Sequence, residues 1–496
     1  MTDSRFTALG RALRIASVAP FVLAFFLGAR DASAQTSRLT LADALRIAAG
    51  QNESIEIARA GEARADAEQL RVQSLRRPQL SFLGTYSRTL ASEFSGAFNS
   101  SGPSCAPLAV NASTPVTERL AELERAAGCG AILPDLGFDN LPFGQRNVYQ
   151  FQLSFSQTIY SGGRISAESL RASHARRAAG IGTTATEAQL SLDVTQAFYD
   201  AAMSDRMVTI AESGYSQAIA TYDQIRLSFE AGRQSEFELL RAQVARDSQK
   251  PAVIRSKSTR EIAYLRLRQL LKIAPDAPLT LDADLDSVNL APPAPFVEAL
   301  TAARGAGPST DRANVHQAEA LVGVREANVT VAQAERRPSV ALTSSLAPVG
   351  YPNSGAFPGT SDFRTNWSLS ASVSLPVLTG GRLRAMEASA QADLAEAHAQ
   401  LAQAREWSLL DSATALEDLS AAEAALEASA GTVEQAERAY QIAELRNREG
   451  LSTQLELSDS RLSWQVAQAN RARAARDVQV ARARVALLPS LPVAPR

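Results

Sequence analysis

The chain carries an internal repeat, and this feature constrains its fold more than any other. An Arg-Arg-Pro motif, a Gly-Gly-Arg motif and a later glycine occur in the same order in both halves, the last two at an offset of 218 residues. These landmarks are Pro78, Gly162, Gly163 and Gly232 in the first half and Pro338, Gly380, Gly381 and Gly450 in the second. Three landmarks in a shared order predict two copies of one structural unit.

The segments that precede each Gly-Gly-Arg motif alternate between apolar and polar residues. Residues 149–156 and 366–375 follow this period of two, which is typical of strands with one apolar face. A shorter alternation follows Pro78 and Pro338, which stand where a helix stops and a strand begins. The sequence therefore predicts four strands in two hairpins, each of about ten residues, which is the length that a tilted membrane strand needs.

The rest of each half has the composition of long helices. Residues 164–231 and 382–449 are rich in Ala, Glu, Gln, Arg and Leu and contain no proline, and a helix of that length extends about 100 Å. The predicted partner helices cover residues 40–76, 235–272, 309–336 and 452–487. Their many alanines favour close packing of helices in a wall. A plain helical bundle does not explain the four alternating strands.

The N-terminus has the pattern of a secretory signal peptide over residues 1–34. Basic residues precede an apolar run of about 13 residues, which is too short for a helix that spans a membrane. Ala32, Ser33 and Ala34 then fit the rule for signal-peptide cleavage. Removal of this segment changes the formal net charge from −2 to −4, and so weak a charge argues against nucleic acid as a partner.

Two segments fall outside the repeat. The long loop at residues 89–146 contains Cys105 and Cys129, which we expect to form a disulfide because the chain is exported. Residues 273–297 hold five prolines and are predicted to join the halves. The predicted division is signal peptide 1–34, first repeat 35–272, linker 273–297, second repeat 298–488 and C-terminal tail 489–496.

Motifs for catalysis are missing from the sequence. It contains no phosphate-binding glycine loop, no nucleophile elbow and no cysteine or histidine spacing suited to zinc. His174, His316 and His398 lie in separate helical stretches and are interpreted as surface residues. We therefore expect no enzyme activity, no cofactor and no metal.

Four strands cannot close a barrel, and lipid tolerates no open sheet edge. Three copies supply twelve strands, an even number that leaves a polar lumen. The order helix, two strands, long helix, glycine turn and returning helix, present twice, resembles the TolC-type outer-membrane efflux family over essentially the whole mature chain. The resemblance implies an α+β fold, a trimeric 12-stranded transmembrane β-barrel with four strands per protomer, continued by a long α-helical periplasmic tunnel.

The same resemblance implies where the duct meets its partners. The turns at Gly232 and Gly450, with Ser452, would contact a periplasmic adaptor protein, which connects the duct to an inner-membrane pump. Ser452 stands where the family has an arginine, so the family's usual closing salt bridge lacks one partner here.

Family members close the periplasmic end with acidic residues. Carried over by position, these acids fall on Glu456 and Asp459, which are three residues apart and share one helix face. The matching first-half positions are Glu238 and Arg241, so a base replaces one acid. An ordinary solvated helix face is the alternative interpretation of all four residues.

The predicted function is an outer-membrane duct that exports substrates from the periplasm or an inner-membrane pump. Its expected partners are two further copies of itself, the adaptor, the pump and outer-membrane lipid. Small-molecule or multidrug efflux and type I protein secretion use the same architecture, and the sequence leaves both open. An alternative from another class is a periplasmic or surface coiled-coil structural protein or adhesin.

Overall fold

The computed structural model describes residues 38–91, 106, 108–128, 147–285, 287, 290–352 and 357–493. The predicted signal peptide, Cys105 and Cys129 lie outside these residues. Among the helices of the described ranges, none combines the length and the apolar character that crossing a membrane requires.

The same order of elements occurs in both halves of the chain. The first half contains α1 (Leu41–Gln51), α2 (Glu53–Ser74), β1 (Gln79–Arg88), α3 (Val116–Gly128), β2 (Asn147–Tyr160), α4 (Arg164–Glu230) and α5 (Glu236–Leu271). The second contains α6 (Val297–Ala306), α7 (Ala313–Ala334), β3 (Ser339–Gly350), β4 (Phe363–Ser374), α8 (Arg382–Arg448) and α9 (Gln454–Leu487). Matching helices agree in length, since α4 and α8 have 67 residues each and α2 and α7 have 22 each. Helix α3 lies in the segment that the first half has in addition.

The four strands form one antiparallel sheet in the order β1, β2, β3, β4. One row of paired residues crosses all four strands and is apolar, and it consists of Phe82, Leu153, Leu346 and Trp367. The adjacent row consists of four serines, Ser81, Ser154, Ser345 and Ser368. Because successive residues of a strand point to opposite faces, the sheet has one apolar face and one polar face.

Both faces of the sheet are stabilised by contacts between strands. On the apolar face the rings of Phe82 and Phe151 stack with centroids 6.1 Å apart, and the Trp367 indole donates a hydrogen bond to Ser344 Oγ at 3.0 Å. On the polar face Gln152 Nε2 donates to Ser345 Oγ at 3.1 Å. Yet Phe82 is 70 % exposed and Trp367 is 76 % exposed, so the described residues of one chain leave these apolar side chains uncovered.

Two long helices leave the sheet and set the length of the molecule. Each begins directly after a Gly-Gly pair, and each spans about 100 Å at 1.5 Å per residue. Helix α4 packs against α2, α5, α7 and α9, whereas the main neighbours of α8 are α7 and α9. Helix α4 therefore lies inside the wall of helices, and α8 lies at one edge of it.

The main hydrophobic core lies where the helices of both halves meet. Val194 and Phe198 of α4, Leu267 of α5 and Val485 of α9 are fully buried there. Their burial joins the two repeats into one body.

The predicted helix over residues 40–76 is wrong in one respect, since the structure divides it into α1 and α2. Asn52 separates them in an extended conformation, and its side chain accepts a hydrogen bond from the backbone N–H of Ser54 at 2.9 Å. Asparagine is among the best N-terminal caps, so it starts a new helix at this point.

The proline-rich linker packs against the core as well as joining the halves. Leu281 forms a parallel bridge with Leu39, and Leu290 and Phe296 are buried in the main core. A short 3₁₀ turn, Ala294–Phe296, leads into α6, a helix that the sequence did not predict.

The landmark residues of the repeat lie at matching places. Pro78 and Pro338 directly precede β1 and β3. The glycines have positive φ values of 63°, 94° and 71° at Gly162, Gly163 and Gly232, and of 57°, 89° and 72° at Gly380, Gly381 and Gly450. Residues with a Cβ rarely adopt this left-handed conformation, which explains why glycine stands at each of these turns.

Candidate functional site

The ends of the long helices opposite the sheet carry the residues that the sequence singled out. Residues 231–235, between α4 and α5, are named the first tip, and residues 449–453, between α8 and α9, the second tip. At the first tip the Gly232 N–H donates to Phe229 O and the Arg233 N–H to Ser228 O, both at 2.8 Å. This pair of bonds closes the end of α4 around the left-handed glycine.

The second tip has the same geometry. The Gly450 N–H donates to Asn447 O at 3.1 Å and the Leu451 N–H donates to Arg446 O at 2.8 Å. Since α4 and α8 also have equal lengths, both turns lie at the same end of the molecule.

Ser452 is held against the end of α8. Its hydroxyl donates to Ala443 O at 3.4 Å, and its carbonyl accepts a hydrogen bond from Asn447 Nδ2 at 3.2 Å. The next residue, Thr453, caps α9 by accepting the N–H of Glu456 at 3.3 Å. Serine at position 452 therefore fixes the turn instead of presenting a charge.

The four predicted gate residues lie in the first two turns of α5 and α9. Glu456 and Asp459 are exposed, whereas Glu238 and Arg241 are half-buried. Glu238 and Glu456 occupy equivalent positions in their helices. The Ser235 side chain accepts the N–H of Glu238 at the start of α5, and the Thr453 side chain accepts the N–H of Glu456 at the start of α9. A carboxylate three residues after the cap also stabilises a helix N-terminus, so these two glutamates have a structural role whatever else they do.

Within the described part of a single chain, no hydrogen bond or ion pair joins these four side chains to one another. The structure brings Glu456 and Asp459 together on one exposed face of α9, one turn apart. It does not bring Arg241 to them. Any charge pairing between the two tips would have to involve other copies of the chain.

The sequence analysis missed a packed cluster behind the second tip. Tyr440, Ala443 and Leu457 are buried together, and the rings of Tyr440 and Trp464 stack with centroids 5.2 Å apart. Arg461 is buried beside them, and burial lowers the pKa of its guanidinium while raising the pKa of the Tyr440 hydroxyl. The cluster fixes α9 against α8 just behind the exposed acids.

A sequence signal for this cluster does exist. Gln454, Leu457 and Arg461 follow the spacing of one helix face and are all buried. Two of them are polar, so the apolar periodicity that marks a buried face is hidden. Both amide atoms of Gln454 lack a hydrogen-bond partner among the described residues.

Uncovered apolar side chains surround both tips. At the first tip these exposed residues are Leu227, Phe237, Leu240 and Val244, with exposures of 60, 69, 53 and 68 %. At the second tip they include Leu445, Leu451 and Leu455. Exposed apolar groups in such a cluster are typical of a contact surface. Across the described ranges, no group of His, Cys, Asp and Glu side chains has the arrangement needed to hold a metal ion.

Sequence comparison gives a family match over both halves. The model of the family described as "Outer membrane efflux protein" matches residues 135–271 and 310–488. "Nodulation protein T" of Rhizobium leguminosarum bv. viciae is 26 % identical over 255 residues, 51 % of each chain. "Toluene efflux pump outer membrane protein TtgF" of Pseudomonas putida is 26 % identical over 277 residues, 54 % of each chain. The chain thus matches about half the length of these curated relatives.

Solved structures show the same fold. CusC, whose crystal structures concern folding and transmembrane channel formation, superposes with a TM-score of 0.68 at 17 % identity, covering 90 % of this chain and 91 % of CusC. The outer membrane protein VceC of Vibrio cholerae gives a TM-score of 0.66 at 18 % identity, covering 90 % and 96 %. The fold class predicted from the sequence is therefore confirmed.

Proposed function

Because the chain belongs to the outer membrane efflux protein family, we propose that it forms a duct that exports substrates across the outer membrane. The sheet lies in that membrane and the helices extend into the periplasm. The family is one of channels and not of enzymes, which agrees with the missing catalytic motifs.

The two-faced sheet is the observation that carries this proposal. Its apolar face, with Phe82 and Trp367 exposed, suits contact with lipid, and its serine row suits contact with water. Among the described residues, strands β1 and β4 each pair with a single neighbour, which leaves two open edges. Open edges in lipid leave backbone groups unbonded, which costs several kcal/mol for each group. Three copies close these edges in a barrel of twelve strands.

The helices support the same assembly. Exposed apolar side chains lie on the helices at the edges of the wall, namely Ile57 and Leu70 on α2, Ile254 and Ile262 on α5, and Leu409 and Leu410 on α8. In a closed ring, α8 of one copy covers α2 and α5 of the next. The result is a continuous helical cylinder below the barrel.

We assign the contacts with other proteins to the two tips. The apolar first tip, with Phe237 and Val244 exposed, offers a docking surface for the helices of a periplasmic adaptor. The turns at Gly232 and Gly450, with Ser452, form the end of the molecule opposite the sheet. An inner-membrane pump then passes substrate through the adaptor into the duct.

Glu456 and Asp459 form the proposed gate at the second tip. Three copies place six carboxylates around one narrow opening, which attracts cations and repels anions. Glu238 and Arg241 flank this ring from the first tip of the neighbouring copies, where the arginine balances part of the negative charge.

The duct is tested by transport in cells and by conductance. Expression with an adaptor and a pump, in cells that lack their own outer-membrane exporters, should lower the accumulation of a fluorescent dye. The matched control lacks residues 1–34 and should have no effect, because it is not exported. The purified protein should also conduct ions in planar lipid bilayers. A protein that stays soluble without detergent and gives no conductance contradicts the duct and favours the coiled-coil scaffold or adhesin.

A further inference from the structure

A contact inside the chain joins the first Gly-Gly turn to the second Arg-Arg-Pro turn. Arg337 Nη1 donates a hydrogen bond to Gly162 O at 3.2 Å. A Cβ at Gly162 would lie 2.6 Å from Arg337 Cβ and 2.9 Å from Ala334 O, so the two turns touch closely. This arrangement, named the clasp, fastens the end of α7 to the start of α4.

The repeat supplies a second pair of turns, and neither has a partner in the part of the chain that the structure describes. Gly380 has a φ of 57°, close to the 63° of Gly162, but it is exposed and nothing lies within 4 Å of a Cβ built there. Arg77 corresponds to Arg337 in the repeat. The backbone N–H of Arg77 donates to Ser74 O at 2.9 Å, and the backbone N–H of Arg337 donates to Ala334 O at 3.0 Å. The Arg77 guanidinium is exposed and makes no hydrogen bond or ion pair within the described part of the chain.

The strands show the same incomplete pattern. Strand β2 of the first half pairs with β3 of the second half, beside the clasp. The corresponding pair, β4 with β1, does not exist within one chain, because these strands are the two edges of the sheet. The unpartnered Arg77 and Gly380 turns thus lie beside the two open edges of the described sheet.

We propose that Arg77 of one copy clasps the Gly380 turn of the next copy and fixes the joint between subunits. Arg77 donates to the Gly380 carbonyl, and Gly380 packs against the Ser74 carbonyl of the same neighbour. This inference rests on the proposed duct in one respect only, that several copies form a ring. The occupant of the free Gly-Gly turn is therefore a second copy of this chain.

The repeat also gives the register of the joint. Each residue of β2 corresponds to the residue of β4 whose number is higher by 218. Each residue of β3 corresponds to the residue of β1 whose number is lower by 260. The pair Leu153 and Leu346 then becomes Ala371 of one copy opposite Tyr86 of the next. Both residues lie on the apolar face of the sheet, so the face continues across the joint. A slip by one residue would turn one strand's apolar side chains into the lumen.

Arginine substitutions test the clasp. Arg77→Met should make detergent-solubilised oligomers exchange subunits roughly a hundred-fold faster, because a charge-assisted hydrogen bond is worth about ten-fold at each joint and a subunit that leaves the ring breaks two joints. Arg76→Met is the matched control, since Arg76 Nη2 donates to Ser166 Oγ of its own chain at 3.1 Å and exchange should not change. Equal exchange rates for Arg77→Met and the unchanged protein would overturn the clasp.

Two glycine substitutions that strain the backbone in the same way give a second test. Gly380→Ala and Gly381→Ala both force alanine into a positive φ. In the first half, a Cβ at Gly162 would lie 2.6 Å from its nearest atom, whereas a Cβ at Gly163 would lie 3.5 Å away. Gly380 corresponds to Gly162 and Gly381 to Gly163, so only Gly380→Ala should press a methyl group against the neighbour. Gly380→Ala should lower the yield of oligomers far more than Gly381→Ala. Equal yields would contradict the contact.

A cysteine pair tests the register, in a background of Cys105→Ser and Cys129→Ser. Ala371→Cys with Tyr86→Cys should give covalent oligomers on non-reducing gels after oxidation. Ala371→Cys with Ser87→Cys is the control, because Ser87 points to the opposite face. The register is overturned if oligomers form but the pair at residues 371 and 86 does not cross-link, or if the control pair at residues 371 and 87 does. Either result leaves the duct itself intact. A chain that stays monomeric in every variant overturns the duct itself.

Discussion

Arg312 shows how a single residue can tie three parts of this chain together. It is 1 % exposed and precedes α7. Its Nη1 donates to Asp411 Oδ2 of α8 at 2.7 Å, and its Nε donates to Leu488 O, beyond α9, at 2.9 Å. No pattern along the chain singles out this arginine, because its partners are 99 and 176 residues away.

Replacing Arg312 by Met should strongly destabilise the protein. The change leaves the Leu488 carbonyl without its donor and weakens the pairing of Asp411, at a cost on the order of 3 kcal/mol. Thermal unfolding in detergent, followed by circular dichroism, should show a clear fall in the melting temperature. Arg405→Met is the control, since its ion pair with Glu319 is exposed and worth at most about 1 kcal/mol. Similar melting temperatures for the two variants would show that the buried contacts contribute little.

The gate residues make a second prediction at this scale. Replacing Glu456 by Gln and Asp459 by Asn should reduce the preference for cations in single-channel recordings, because the proposed ring of carboxylates would be lost. Block by multivalent cations from the tip side should also weaken. Both side chains are exposed, so the yield of folded protein should barely change.

A charge at a distance from the tips controls for a general electrostatic effect. Glu427 is an exposed residue of α8, and Glu427→Gln should leave both selectivity and block unchanged. If the double variant behaves like this control, Glu456 and Asp459 are a solvated helix face. The role of Glu456 would then be limited to stabilising the N-terminus of α9.

At the scale of elements, periodic patterns predicted the fold well where one pattern ran without interruption. Alternation in residues 149–156 and 366–375 predicted β2 and β4, and the proline-free segments predicted α4 and α8 to within one residue at each end. The break at Asn52 was missed because a helix cap depends on one residue and not on a period. Helix α6 was missed because five prolines nearby favour a linker, although it packs on the core through Leu300.

The two cysteines of the loop at residues 89–146 lie outside the described residues and carry a prediction. Cys105 and Cys129 should form a disulfide, which closes a loop of about 25 residues and stabilises it by about 3 kcal/mol. Exported protein should therefore show no reaction with a thiol reagent before reduction. Free thiols in that protein would refute the bond.

The role of this disulfide is a separate question. The loop is absent from the second half, so the repeated core does not need it. Replacing both cysteines by Ser should leave dye export unchanged when trimer levels are equal. Loss of export at normal trimer levels would mean that the loop takes part in transport.

At the scale of the whole molecule, the sequence predicted the architecture of the duct, whereas its gate stays a prediction. The repeat and the alternating strands fix the architecture, because both depend on patterns along the chain. The cluster of Tyr440, Trp464 and Arg461 depends on packing between α8 and α9, and its one-face spacing on α9 is hidden because Gln454 and Arg461 are polar. Contacts around the proposed gate would also involve other copies of the chain.

The open edges of the sheet predict a stable trimer. Protein extracted in detergent should scatter light as three copies after subtraction of the detergent mass, because β1 and β4 both need a partner strand. A uniform population of monomers or dimers would contradict the closed barrel.

Adjacent residues of β4 give the sharpest test of how the sheet is oriented. Leu369 lies on the apolar face and is 70 % exposed, whereas Ser368 lies in the serine row of the opposite face. Leu369→Arg should place a charge in lipid at a cost of about 2–4 kcal/mol per copy near the bilayer centre. Three copies multiply that cost, so the trimer should be depleted from the outer-membrane fraction. Ser368→Arg places the same charge in the water-filled lumen and should assemble normally while lowering the preference for cations. If Ser368→Arg is depleted and Leu369→Arg is not, the polar face meets lipid and the assignment of the two faces is reversed.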